Sequence, residues 1–342
     1  MPFCMTPPTE MIDQYYAFYR RQWNPIARIA DVPEGRPLPA RLLDQPLVLA
    51  RLGETVVVMD DACRHFQAAL SLGEVDRLPC GQPVLRCKYH GWAYDATGAC
   101  VHIPQLREGR GIPGDAKIGS YPVVEKHGIL WTCLDHDPAG TVPEMFLDGE
   151  TDLRAVEVQV TRWDCSAVRM ILSTMDDYHL AFLHEGILGD RSRPEAPDRA
   201  ITRDSKGLVS RYRVVQPANV TNSAESAAET TSTVDYIVRV DMPNVISIVK
   251  RNRAGVYVIW FAACPRSFQH TDVFWTVARS YDLQPEDDRR VVDMETLIQN
   301  QDRPIVASQR PWICQPMPIR DVDDALVEYV RWLKQLGCPN LI

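Results

Sequence analysis

The chain has 342 residues, 45% hydrophobic and 24% charged, which is the composition of a soluble globular protein with room for two domains of ~100–200 residues each. A formal net charge of -8 argues against nucleic acid as the main partner, because phosphate binding needs a basic face. The first residues, MPFCMTPPTEMIDQYY, carry no basic stretch followed by an apolar run, and no apolar run reaches the ~18 residues of a membrane span, so a cytoplasmic protein is expected.

Residues 9–22 read as a short amphipathic helix. From Pro25 to about Asp135 short strand-like runs follow one another: PIARIA, PLVLARL, TVVVMD, PVLRC, WAYD, ACVHI and GILWTCL. Turn signals such as Asp95-Ala96-Thr97-Gly98 separate them, and this spacing predicts a small all-β domain. The Pro/Gly-punctuated segment His136–Met145 is the expected boundary, giving an N-terminal helix over 1–24 and domains over 25–140 and 141–342. The second half reads as α+β. VEVQVTRWDCSAV begins as a strand and STMDDYHLAFLHEG, Ser173 to Gly186, follows as a helix. Longer strands come next in LVSRYRVVQ, TVDYIVRVDM, NVISIVKRN, VYVIWFAAC and DVFWTVARSYDL, and helices near Glu286–Asn300 and Asp321–Leu336 close the chain. The Ser/Thr/Ala-rich stretch Asn219–Thr233 reads as a surface loop, and beside a pocket such a loop can act as a lid.

Ten cysteines are scattered over the chain, which is not the pattern of a small disulfide framework. Two of them belong to mixed pairs. Cys63-x-His65 and Cys87-x2-His90 are 21 residues apart, and each follows a strand at a loop tip, the arrangement of a two-fingered metal clasp. One His and one Cys per finger can make a tetrahedral zinc site, or a [2Fe–2S] site with both cysteines on one iron and both histidines on the other. Zinc fingers usually pair Cys with Cys and His with His, so context favours the cluster. Cys100-x-His102 has similar spacing but alternates within a strand, and Cys80 reads as a free thiol.

In STMDDYHLAFLHEG, His179 and His184 are five apart and Asp176 lies three before the first. Asp176 and His179 would share a helical face. His184 would lie about 140° from His179 on a regular helix, so both rings face one metal only if the helix ends or bends between them.

Together the pairs resemble the Rieske motif of ring-hydroxylating and related oxygenases, with C-x-H, then C-x2-H within YHGW. STMDDYHLAFLHEG is similar to the N-x2-D-x2-H-x4-H motif of their mononuclear iron site. The resemblance runs from about Tyr15 to Leu336 and is closest to members that remove methyl groups; arylamine N-oxygenases are also similar. It implies an N-terminal all-β Rieske domain, and a C-terminal helix-grip domain whose curved antiparallel sheet surrounds a long helix. It implies a [2Fe–2S] cluster on Cys63, His65, Cys87 and His90, and Fe(II) on a facial triad of His179, His184 and a distant carboxylate. In LIQNQDRPIVASQRP Asp302 is the expected third ligand, preceding a short helix; Glu295 and Asp293 are the alternatives. Asp176 would bridge His90 of one subunit to His179 of its neighbour in a head-to-tail homotrimer, and Asp177 would be solvated. Electrons would come from NAD(P)H through a separate ferredoxin or flavin reductase, since no G-x-G-x-x-G follows a strand here.

The activity implied is O2-dependent oxidation of a small aromatic or heterocyclic molecule, including oxidative demethylation. The alternatives are C–H hydroxylation, N-oxygenation or natural-product tailoring at the same iron, a Rieske electron carrier, and a zinc-stabilised binding protein. Three departures stand out: Arg64 and Phe66 replace the usual Pro and Arg around His65, and Ser173 replaces the usual Asn.

Overall fold

The computed structural model describes residues 7–145, 152–204, 207–224, 230–309 and 317–338. Cys4, Cys314 and the middle of the Ser/Thr/Ala-rich loop, 225–229, lie outside the described residues. No described helix is long and apolar enough to cross a membrane.

Short, β-branched runs between turn residues make strands the main regular elements of the Tyr19–Val142 unit. They are β1 (Asn24–Arg28), β2 (Leu38–Leu42), β3 (Gln45–Leu52), β4 (Thr55–Asp60), β5 (Glu74–Arg77), β6 (Pro83–Arg86), β7 (Ala93–Tyr94), β8 (Cys100–His102), β9 (Ser120–Tyr121), β10 (Val123–Lys126) and β11 (Ile129–Thr132). Three antiparallel sheets result, with orders β1-β11-β10, β2-β3-β4-β9 and β5-β6-β7-β8. Val48, Ala50, Met59, Leu70, Leu85 and Tyr94 form part of one buried cluster, which also takes in Cys63 and Cys87.

The second unit joins residues up to Phe18 with those from Pro143 onward. Helix α1 (Thr9–Arg20) is tied into it where the Tyr15 hydroxyl accepts the Ala167 N–H at 3.2 Å. Strands β12 (Arg154–Ala155), β13 (Gln159–Trp163), β14 (Arg199–Arg203), β15 (Leu208–Pro217), β16 (Thr231–Met242), β17 (Val245–Arg251), β18 (Val256–Pro265) and β19 (Thr271–Arg279) form one antiparallel sheet, in which β12 and β13 both pair with β19. Period-two burial is plain in β16, where Val234, Tyr236, Val238, Val240 and Met242 point inward. Helices α2 (Ala167–Met175), α3 (Leu180–Leu183), α4 (Asp287–Ser308) and α5 (Asp324–Gln335) complete the unit, and α2 packs on β17, β18 and α4.

A row of directly paired residues crosses this sheet: Arg199, Tyr212, Tyr236, Lys250, Tyr257, Arg279 and Arg154. Direct pairing puts them all on one face. Buried cations need matched acids. Arg199 meets Asp177 at 2.7 Å, with side chains 6% and 5% exposed. Arg279 and Arg154 both bind Asp288, at 2.9 and 2.6 Å. Asp177 is therefore not solvated, because a cation on β14 draws it inside; burial nonetheless pushes its carboxyl above the ordinary carboxylate range, against the pull of Arg199.

Two helix expectations change. The Ser173–Gly186 stretch is not one helix. α2 starts on the Ser166 cap, whose Oγ accepts the Arg169 N–H, and ends at Met175. Asp176 follows in extended backbone (φ -71°, ψ 125°), so Asp176 and His179 share no helical face. The carboxylate is the cause: Asp176 Oδ1 accepts the backbone N–H groups of Tyr178 at 3.1 Å and His179 at 3.3 Å, a local pairing that competes with the helix. At the chain's other end, α4 continues to Ser308 rather than stopping near Asn300, with Pro304 inside it. Asp302 consequently sits within a long helix instead of preceding a short one. Pro304 keeps a helical φ and forfeits one backbone bond, and the buried Val306 holds the last turn in place.

Candidate metal centres

The two Cys/His loops of the β unit are the same turn built twice. The Cys63 N–H bonds the Ala68 carbonyl at 2.9 Å and the Cys87 N–H bonds the Trp92 carbonyl at 2.8 Å, each five residues on. Four residues after each cysteine, Gln67 (φ 53°) and Gly91 (φ 75°) return an N–H to the cysteine carbonyl. A left-handed residue is required there, which explains the glycine of the second loop; Gln67 fills the same place in the first and has no obvious sequence signal.

Both thiols are buried, and His65 Nδ1 faces His90 Nδ1 at 3.1 Å. Two nitrogens on one tetrahedral metal at ~2.0–2.1 Å would stand about 3.4 Å apart, so the pair fits a shared iron. Trp92 stacks on His65 with ring centroids 4.6 Å apart and fixes its plane. Tyr94 Oη lies 3.1 Å from Cys63 Sγ and accepts the Arg64 N–H at 3.0 Å. That leaves the phenol hydrogen for the sulfur, a contact that tunes cluster potential. Cys100 and His102 are ordinary residues of β8, and Cys80 is an exposed free thiol.

In the second unit His179 precedes α3 and His184 follows it, so one short helical turn carries both rings around to a common point. Asp302 comes from α4. Its Oδ1 is 3.0 Å from His184 Nε2 and 3.5 Å from His179 Nε2, and one donor atom from each of the three residues lies within 4.8 Å of the others. Burial acts against the charged form of His179, but Asp176 and Asp302 outweigh it and raise its pKa to about 9. Burial likewise opposes ionisation of Asp302, and the two histidines outweigh it and lower its pKa. Glu295 is bound instead by the Tyr257 hydroxyl at 3.0 Å, and Asp293 pairs with Arg289 on the surface.

Sequence reading missed Gln301. His184 Nδ1 meets Gln301 Oε1 at 2.7 Å. With Nδ1–H donated to that oxygen, the Nε2 lone pair faces the Asp302 carboxylate, and two acceptors 3.0 Å apart call for a cation between them. The donor set of two imidazoles and one carboxylate suits Fe(II) with open positions. Gln301→Leu should weaken iron binding about 10–100-fold by freeing the ring and its tautomer, measurable as Fe(II) affinity of the iron-depleted protein; unchanged affinity would exclude an orienting role. Adjacency to Asp302 was the only hint available in the sequence, since the bond spans 117 positions.

A cavity of about 670 Å³ opens on Ser173, Asp176, His179 and Asp302, with apolar walls from α2, α4 and α5. The Ser173 hydroxyl turns back to the Met170 carbonyl at 2.9 Å, so it is tied to its own helix.

A Rieske-type β unit and, in the same chain, a helix-and-sheet unit that carries two histidines and a carboxylate define a Rieske non-haem iron oxygenase, an oxidoreductase whose cofactors are a [2Fe–2S] cluster and mononuclear iron. The Rieske [2Fe-2S] domain family matches residues 22–122. The vanillate O-demethylase oxygenase C-terminal domain family matches 163–337, and the chain belongs to it. Among curated proteins it is similar to methylxanthine N1-demethylase NdmA of Pseudomonas putida, 28% identical over 335 residues covering 95% of this chain and 91% of the relative. Methylxanthine N3-demethylase NdmB of the same organism is 27% identical over 94% of this chain and 90% of the relative. Among solved structures, that of P. putida CBB5 NdmA with caffeine superposes with a TM-score of 0.80 at 26% identity, covering 95% of this chain and 92% of the other. Dicamba monooxygenase bound to 3,6-dichlorosalicylic acid shares the fold, with a TM-score of 0.77 at 22% identity over 93% of this chain and 97% of the other.

Proposed function

We propose that the protein is the terminal oxygenase of an N- or O-demethylating system acting on a small aromatic or heterocyclic substrate. The observation that carries the reading is the convergence of His179, His184 and Asp302 in a chain that also repeats one metal-loop turn at Cys63/His65 and Cys87/His90. In this reading those four loop residues hold the cluster, and the other three hold iron. When bound, the cluster supplies single electrons and the iron activates O2. The overall balance consumes O2, two electrons and two protons per N- or O-methyl group, releasing formaldehyde, water and the demethylated product. A separate NAD(P)H-linked ferredoxin or flavin reductase supplies the electrons. The eight cysteines among the described residues form no disulfide, which suits a reducing cytoplasm.

The chain's own residues do the positioning. Gln301 orients His184, Trp92 orients His65, and Asp176 holds His179 at Nδ1. Asp176 lines the cavity and is the bridge to His90 of a neighbouring subunit in a homotrimer. The exposed rings of Phe66 and Tyr89 (65% and 67%) flank His65 and His90 and supply the apolar tip that such a contact needs. Purified protein should be brown, give the low-g EPR signal of a Rieske cluster, consume O2 with a reductase, and release formaldehyde from N- or O-methyl substrates. Colourless, zinc-loaded protein would overturn the reading.

A further inference from the structure

The Ser/Thr/Ala-rich stretch after β15 does not begin on the surface: Thr221, Asn222 and Ser223 are 0, 1 and 7% exposed. Polar side chains go inside where partners await them, and here the hub is Asn219. Its Oδ1 accepts the Thr221 backbone N–H at 2.9 Å and the Thr221 hydroxyl at 2.8 Å. Its Nδ2 donates to the Ile187 carbonyl at 2.6 Å and to the Pro217 carbonyl at 3.2 Å. On the other side of Thr221, Lys250 Nζ donates to the same hydroxyl at 2.9 Å. Lys250 lies over the faces of Tyr236 and Tyr257, 5.6 and 5.5 Å from the ring centroids. Burial pulls its pKa down to about 8 against the opposing pull of Glu295, so the cation is held there at a cost. An ammonium has hydrogens and no lone pair, and this sets the direction of every bond that follows. Thr221 accepts from Lys250, so its own hydrogen goes to Asn219 Oδ1, and the amide must turn Nδ2 towards Ile187.

Ile187 belongs to the turn that His184 starts. The His184 carbonyl accepts the N–H groups of Ile187 and Leu188, both at 2.9 Å, and of Gly189 at 3.3 Å. The Gly186 N–H, in left-handed backbone (φ 77°), returns to the Gly189 carbonyl at 2.8 Å. Gly189 packs on the first residue of α3, where a Cβ would stand 2.3 Å from the Leu180 carbonyl oxygen. Helix α3 and this turn therefore close into one unit that carries both histidines, and the Ile187 carbonyl is where Asn219 takes hold of it.

We propose that Asn219 is a positioning residue for the iron site: the chain Lys250–Thr221–Asn219–Ile187 clamps the turn after His184 to the sheet and fixes the backbone position of that ligand. The inference rests on the oxygenase reading and adds a second control on His184. Gln301, on α4, sets the plane and tautomer of the ring, and Asn219, on the β15–β16 connection, sets where the ring starts from.

Iron-depleted protein with its cluster intact should be titrated with Fe(II) against a chelator, and with Co(II), whose visible d–d bands report ligand geometry. Asn219→Asp keeps the acceptor for Thr221 and replaces the donor at the Ile187 carbonyl by a second acceptor. It should weaken Fe(II) binding about tenfold or more and change the Co(II) bands, with the cluster absorption unchanged. Thr221→Val, which keeps the shape and loses the hydroxyl, should move both readouts the same way by less. Thr221→Ser, which keeps the hydroxyl, should match wild type. Wild-type Fe(II) affinity and Co(II) bands in Asn219→Asp would overturn the proposal, as would two Thr221 variants that behave alike. If Asn219→Asp does not fold, the Thr221 pair decides alone. Wild-type protein that takes up neither Fe(II) nor Co(II) would instead sink the oxygenase reading.

Discussion

Asp302→Ala protein should purify with its cluster spectrum unchanged and its mononuclear iron largely gone. The carboxylate is the single anionic donor among the three groups that converge, and it is closest to His184. Without it, two neutral imidazoles remain, and iron affinity should fall by at least about 100-fold, beyond the usual effect of losing a mere orienting partner. Substrate turnover should fall in parallel. The two candidate metal sites belong to separate units, so the Rieske absorption and EPR signal should persist. Iron and sulfide analysis distinguishes the sites by stoichiometry. Full iron occupancy and normal turnover in the variant would remove Asp302 from the ligand set. Neither alternative acid is placed to substitute, because Glu295 is held by Tyr257 and Asp293 by Arg289.

Asp176→Asn should keep both metals and slow the transfer between them. The change is nearly isosteric, and the remaining carbonyl oxygen can still accept the Tyr178 and His179 N–H groups that start α3. What it removes is the negative charge 3.5 Å from His179 Nδ1 and one acceptor for a second imidazole. Oxidation of the pre-reduced cluster by O2 in the presence of substrate, followed by stopped flow, should slow on the order of 100-fold or more, as expected when a connecting group of this kind is lost. Wild-type rates would refute the bridge. Loss of iron along with the rate would point to a ligand-orienting role confined to one subunit.

The metal-loop motifs were legible because they are local. Cys63-x-His65 and Cys87-x2-His90 each lie within one turn, and the turn itself is closed by bonds four and five residues away. The strands were legible for the same reason, since period-two burial is written along each of them. Gln301 was invisible because its partner lies 117 positions away. Asp177 was misjudged for a related reason. A surface acid beside Asp176 looks solvated until β14 brings Arg199 to 2.7 Å.

The sequence by itself determined the order of the two family domains and singled out the candidate cluster ligands and the residue types of the candidate iron site, because each depends on short-range spacing and donor chemistry. Tertiary structure decided how that spacing is used. The break after Met175, through backbone bonds to Asp176 that defeat the helix locally, separates Asp176 from the turn that follows, and α3 ends at Leu183 so that His184 leaves the helix and both rings reach one point. The continuation of α4 through Pro304 places Asp302 inside a rigid helix at hydrogen-bond distance from His184. The row of cations and tyrosines across the sheet exists only once the register of the strands is set, because its members are scattered from Arg154 to Arg279 along the chain. Long-range register and helix ends depend on competition between distant partners, and no local pattern encodes the outcome of that competition.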